Sequence, residues 1–374
     1  MGELLIKDIK QQRNYGIDLL RLVSMFMVVV LHVLGQGGIL NNAQILTFKG
    51  EVLQFLRIAC YCAVDVFAII SGFVGLKARH KFSNLINLCI QLIFYSLILT
   101  GVYVIVSVSN GVEISLEKIL TYLFPSVRSM WYFSAYFCLF FFMPILNLII
   151  ENTPRNILKS SALFVFIVFC CIGRVSTKVA NLNGGYSVLW LALLYLLGAY
   201  IKKYELLSKV SSVKCFLGFL SCVVLTSISR IIIGNVSIMV LGFEKGISVF
   251  ISYTSPTILF AAIFLIGLFK NIKTSDKGKK MIAFLSPMAF GVYLIHCHSF
   301  IFQSLGNVFS WVAFEPAYIA PFIVIGIALI IYVICLFLDW LRILLFKACK
   351  IKKLSIWLEN LFGKLFTKIL GLFS

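Results

Sequence analysis

GIDLLRLVSMFMVVVLHVLG, residues 16–35, decides how this chain is read. Roughly 20 mostly apolar residues carry a helix across a bilayer, and this stretch has that length and character. It also holds Asp18, Arg21 and His32, side chains that lipid penalises and that therefore face protein or a wet cavity. Arg21 and His32 are eleven residues apart. On a helix that puts them about 16 Å apart along the axis and within about 20° of one face. Asp18, Met25 and Val28 share the stripe, which leaves the valines and remaining leucines for the lipid side.

The rest of the chain extends the same reading. Hydrophobic residues make up 61% of it and charged residues 13%, a composition that excludes a soluble globule. Apolar runs predict an all-α polytopic membrane protein with ten transmembrane helices, near 16–34, 52–76, 84–107, 130–150, 160–177, 186–201, 212–236, 248–271, 281–304 and 318–346. Most of the 33 Lys and Arg residues fall in 1–15, 77–83, 151–159, 202–211, 272–280 and the tail. The alternate connections hold Lys49, Lys118, Arg128, Arg174, Lys178 and Lys245. Because short cytoplasmic loops collect the positive charge, both termini are expected in the cytoplasm. The net charge of +19 then follows from topology, with attraction to anionic lipid added, and needs no nucleic-acid partner.

Lys7, Lys10 and Arg13 ahead of an apolar run resemble the start of a secretory signal. No small-x-small cleavage site follows, and a signal core would not carry Asp and Arg. Residues 1–346 are therefore read as one transmembrane domain and 347–374 as a cytoplasmic amphipathic tail. In the tail, Leu354, Trp357, Leu358, Leu361, Leu365 and Ile369 recur at helical spacing with lysines between, as in a helix lying in the membrane interface. The 11 cysteines are scattered without a CxxC pair, so no metal is expected and they read as small buried hydrophobes. In HCH, 296–298, the two histidines fall on different faces of a helix, which argues against their joint ligation.

Polar residues recur inside the other spans. RIACYCAVDVFAIISGFVG, 57–75, carries Arg57 towards the outside, Asp65 near the middle and Ser71 towards the cytoplasm, and Arg57 and Asp65 have the option of neutralising each other. Trp131, Tyr132, Ser134 and Tyr136 open the fourth span, where a plain interfacial aromatic belt is the alternative to a site. Arg230 lies in the outer half of the seventh. Tyr293 and His296 lie three apart on one face of the ninth. For the first helix the plain alternative is an Arg21–Asp18 pair at i,i+3 with His32 merely hydrogen-bonded.

Four segments in order resemble the integral-membrane acyltransferase-3 family, which modifies surface glycans and related acceptors. They are NYGIDLLRLVSMFMVVVLH (14–32), with a basic-x10-His signature met by Arg21 and His32; VDVFAIISGFV (64–74); SMWYFSAYF (129–137); and FGVYLIH (290–296). The resemblance implies transfer of an acyl group, usually acetyl, from cytoplasmic acyl-CoA to a hydroxyl of a surface or lipid-linked glycan. It implies His32 as catalytic base and Arg21 as signature cation. The family's Arg-containing loop after the second span, expected to help hold the donor, reads GLKARHK (75–81) here, so Lys77, Arg79 and Lys81 stand in for an absent Arg-x-x-Arg. It implies a bacterial cytoplasmic membrane, acyl-CoA as a consumed donor with no permanently bound cofactor, and leaves room for a homo-oligomer.

The residue chemistry agrees with that expectation. Arg suits phosphate through its forked donors, and His suits general-base work near neutral pH. Direct transfer ranks above an acyl-enzyme through Ser71 or Ser134, because the motif falls on His32. A secondary transporter or flippase for glycan precursors is the rival, since it too would bury Arg and His residues. Its broken helices would have to come from Pro256 and Pro287.

Overall fold

The computed structural model describes residues 13–124, 130–173 and 182–370, with side chains up to Lys364. Lys7, Lys10, Arg128, Ser129, Arg174 and Lys178, and the side chains of Leu365 and Ile369, lie outside the described residues. Among those described there is no strand, and seven helical stretches are long and apolar enough to cross a membrane.

Helix α1 (Tyr15–Gly35) stands at the centre. Asn14 caps it, accepting from the Ile17 N–H at 3.1 Å, and donates its own amide to the Lys270 carbonyl at 3.2 Å. Gly16 permits that approach, because a Cβ there would stand 1.9 Å from the Phe269 carbonyl oxygen. Short α2 (Ile39–Asn42) follows. The predicted second span is two helices, α3 (Phe48–Tyr61) and α4 (Ala63–Gly75), broken at Cys62. Then come α5 (Phe82–Ser109), α6 (Leu116–Leu123), α7 (Trp131–Asn152) and α8 (Arg155–Val165), the last running on as a π-helix over Phe166–Ile172.

The second half holds α9 (Val188–Lys203), α10 (Ser212–Leu241), α11 (Pro256–Lys270), α12 (Asp276–Leu285), α13 (Ala289–His296), α14 (Ser299–Ser304), α15 (Ala320–Ala348) and α16 (Ile351–Leu370). Two further predicted spans depart from the expected single helices. The region 248–271 is helical only from Pro256, whose missing N–H and fixed φ suit a first helical position. The region 281–304 is broken into α12, a 3-10 turn at Ser286–Met288 containing Pro287, α13 and α14, since proline interrupts the helical hydrogen-bond ladder.

Packing explains which helices enclose the site. In α1 the apolar window is 61% buried and over Phe48–Gly75 it is 67% buried, against 22% in α15. The outer helices turn apolar flanks outward, and the inner ones are wrapped by protein. The α4–α9 contact is the most extensive in the fold, and glycines set its closeness: a Cβ on Gly72 would stand 1.8 Å from the Tyr195 carbonyl oxygen, and one on Gly198 2.0 Å from that of Ile69. Helix α15 packs on α1 and α13, with the Tyr332 hydroxyl donating to the Leu22 carbonyl. Amphipathic α16 lies against α5.

Candidate active site

A cavity of about 900 Å³ runs beside α1, within the size range of small-molecule sites. Arg21, Met25, Val28 and His32 all line it, so the stripe legible in residues 16–35 is one wall. Arg21 and His32 thus mark points about 16 Å apart along a single chamber. The opposite walls come from Phe67 and Ser71 of α4, Tyr132 and Tyr136 of α7, Phe290 and Tyr293 of α13, and Phe302 of α14.

Arg21 both lines the cavity and donates through Nη1 to Asp18 Oδ1 at 2.8 Å. Asp18 is buried and also takes the Arg13 guanidinium. The carboxylate therefore fixes Arg21 from behind while part of the guanidinium stays available to the chamber. Pairing and cavity lining, framed as alternatives on the sequence, coexist.

His32 meets the broken ninth span. Its ring centroid is 5.1 Å from that of His296 and 5.1 Å from that of Phe302, to which it stands nearly perpendicular. His296 is 1% exposed, and its Nδ1 hydrogen-bonds the Val292 carbonyl. A carbonyl only accepts, so Nδ1 carries the proton and Nε2 bears a lone pair. That Nε2 faces the Cys297 sulfur at 3.4 Å, and the same sulfur is 3.8 Å from His32 Nδ1. The ligand atoms of the three residues lie within 4.8 Å of one another, a spacing that would also admit a soft cation. His298 turns away to the Tyr122 carbonyl at 3.0 Å, as expected from the opposed faces of HCH. Cys297, set aside on the sequence as an inert hydrophobe, is the residue that reading missed. Its only sequence signal is adjacency to the FGVYLIH motif.

At another part of the wall the rings of Trp131, Tyr186, Tyr253 and Tyr61 gather. Trp131–Tyr186, Tyr186–Tyr253 and Tyr61–Tyr253 centroids are 4.6, 4.9 and 5.0 Å apart, and all four rings line the cavity with Arg57. These aromatics form part of the chamber wall.

Other expected residues fall elsewhere. Arg57 donates to Gln54 and lies over the Tyr61 ring, whereas Asp65, fully buried, accepts from Trp190 Nε1 at 3.1 Å; each has its own partners, and eight residues along a helix put them about 12 Å apart. Ser71 lines the cavity with its hydroxyl given to the Phe67 carbonyl, and Ser134 is not on the wall. Arg230 is buried against Glu51 at 3.1 Å, away from the cavity. Lys77, Arg79 and Lys81 are exposed and none reaches the chamber. A second buried cluster, Asp339 bound by Arg342 at 2.7 Å and by the Tyr95 hydroxyl at 2.7 Å, joins α15 to α5 and was not foreseen.

The sequence pattern of the acyltransferase-3 family, described as an acyltransferase domain, matches residues 14–340. No curated protein and no solved structure matches the chain.

Proposed function

Because the chain belongs to the acyltransferase-3 family and is thus a membrane acyltransferase, we propose that it moves an acyl group, most simply acetyl, from cytoplasmic acyl-CoA to a hydroxyl of a surface or lipid-linked glycan. The observation that carries this reading is the single chamber holding Arg21 and His32 about 16 Å apart along one helix. A CoA thioester has a multiply charged head that lipid excludes and a long, thin arm that a narrow chamber admits. Arg21, held by Asp18, meets the anionic donor through its forked donors. His32, further along, takes the proton of the acceptor hydroxyl as its oxygen attacks the thioester carbonyl. The sulfur then leaves, and the proton returns to it.

The aromatic wall supports a sugar acceptor. One face of a pyranose is a sheet of C–H groups that stacks on electron-rich rings, and Trp131, Tyr61, Tyr186 and Tyr253 supply such rings, with Arg57 beside them for hydroxyl or anionic groups. Lys77, Arg79 and Lys81 remain in this reading as a basic rim for the donor phosphates, attracting them from outside the chamber. The ten spans, the cytoplasmic termini and the bacterial cytoplasmic membrane belong to the same proposal, which requires the Arg21 end to open to the cytoplasm. The test is acyl-CoA consumption by the protein in nanodiscs with glycan extracts as acceptor. Transfer that needs extract and fails in Arg21→Ala at low donor concentration supports the reading. Acceptor translocation without thioester consumption would replace it with the transporter.

A further inference from the structure

The cavity wall carries, among the described residues, one thiol, which the proposed reaction does not use. Cys297 ends α13, where the helix stops and the chain turns into α14. The turn sets its sulfur on the wall of the chamber, between two imidazoles at 3.4 and 3.8 Å. His296 itself is 1% exposed and stands behind the thiol rather than on the wall. With Nδ1 engaged by the Val292 carbonyl, the group its Nε2 lone pair faces is the Cys297 thiol. Nucleophile, base and a backbone group orienting the base are the recurring parts of covalent catalysis.

A second observation points to a carbonyl at the same place. Tyr293 lies one turn before Cys297 on the same face of α13 and also lines the chamber. It is 8% exposed, and its hydroxyl donates to no partner among the described residues. The backbone groups it faces are the N–H groups of Tyr132 and Phe133, in the first turn of α7, which has no side-chain cap. These groups donate and cannot accept, so the Tyr293 proton has no acceptor among the described residues. A buried hydroxyl without a partner is costly. The oxygen of a thioester formed on Cys297 would supply one, in the manner of an oxyanion hole.

We propose that Cys297 is an acyl-carrying residue: the acyl group passes from CoA to the Cys297 sulfur and from there to the acceptor hydroxyl, with His296 serving the first step and His32 the second. This rests on the acyl-transfer reading and deepens it. In the first step the Cys297 S–H proton goes to His296 Nε2, the sulfur bonds to the acyl carbon, the carbon–sulfur bond to CoA breaks, and the CoA thiolate takes the proton from His296. In the second step His32 removes the acceptor proton, the acceptor oxygen bonds to the acyl carbon, the bond to Cys297 breaks, and the Cys297 thiolate is reprotonated. A thioester is exchanged for a thioester and then for an ester, and no redox partner is needed. Of the serine routes weighed on the sequence, Ser71 has its hydroxyl committed to Phe67 and Ser134 is off the wall.

The test uses the full chain in nanodiscs in buffer containing chelator, with acetyl-CoA, isotopically labelled free CoA and no acceptor. The expected results are incorporation of label into acetyl-CoA and one hydroxylamine-labile acetyl group on the peptide containing Cys297. Cys297→Ala should lower the exchange and the overall transfer about 100-fold or more, at an unchanged melting temperature. Cys297→Ser should trap a slower, hydroxylamine-resistant ester. Transfer to acceptor by wild type without exchange or label, or wild-type transfer by Cys297→Ala, would overturn the relay and leave His32-dependent transfer standing. Absence of exchange, label and transfer together would overturn both.

Discussion

Gly72→Ala tests the packing that holds the chamber in shape. The added Cβ would stand 1.8 Å from the Tyr195 carbonyl oxygen and 2.7 Å from its carbon. Both are backbone atoms of α9 and cannot swing aside, whereas ordinary carbon–oxygen contact needs roughly 3.4 Å or more. The α4–α9 pair must therefore part by about 1.6 Å, the difference between that contact and the 1.8 Å available. Such overpacking costs about 1–3 kcal/mol. The movement also strains the Tyr195–Asn147 hydrogen bond of 2.9 Å and displaces Phe67 and Ser71 on the chamber wall. Gly101→Ala is the control: it lies in α5 with nothing within 4 Å of an added Cβ, so it should be neutral or slightly stabilising. The assay is thermal unfolding in nanodiscs followed by a thiol-reactive dye, since Cys62, Cys170 and Cys215 are buried in the fold. Gly72→Ala should melt several degrees below wild type and lose acyl transfer, and Gly101→Ala should match wild type in both. Equal melting of the two variants would refute the account of the α4–α9 contact.

Three further outcomes are expected. Arg230→Met removes the partner of Glu51 between α10 and α3 and should destabilise by about 3–5 kcal/mol, whereas Lys279→Ala, at an exposed pair with Asp276, should leave the same melting curve in place. Asp18→Asn frees Arg21 from its clamp and should raise the KM for acetyl-CoA roughly tenfold, the worth of one charge-assisted contact, while kcat stays within about twofold of wild type; a collapse of kcat at unchanged KM would contradict a donor-holding role. His80, between α4 and α5, packs its ring 3.9 Å from that of Phe140, and burial holds its imidazole below the usual histidine range. The neutral form is favoured in the folded state, so its contribution is present above about pH 6.5 and fades as the pH falls below that value. Melting curves between pH 7.5 and 5.0 should fall more steeply for wild type than for His80→Phe.

The first helix was legible because its message is local. Apolar length, the eleven-residue spacing of Arg21 and His32, and helical periodicity need no partner to be read, and the predicted stripe is the one that faces the chamber. The second span was legible as apolar helix but not as broken helix, because a turn at Cys62 leaves hydropathy unchanged, whereas Pro287 marked a candidate break in the ninth. Arg57 and Asp65 show the cost: eight residues are about 12 Å even on an unbroken helix, and the carboxylate finds Trp190, 125 residues away. Arg230 and Glu51 are 179 apart, and His32 and Cys297 265 apart. Such pairs depend on which helices become neighbours, which composition and period do not encode. Cys297 stayed hidden for the same reason, since a cysteine in an apolar run reads as packing until its two imidazoles are placed beside it.

The most direct test of the central claim is acetyl-CoA consumption by the protein in nanodiscs, wild type beside His32→Ala, with a cell-envelope glycan extract as acceptor. The account predicts free CoA release that requires both the extract and His32, with His32→Ala folded and inactive. Release at the wild-type rate by His32→Ala, or thioester left intact by the wild type with every extract and donor, would contradict it.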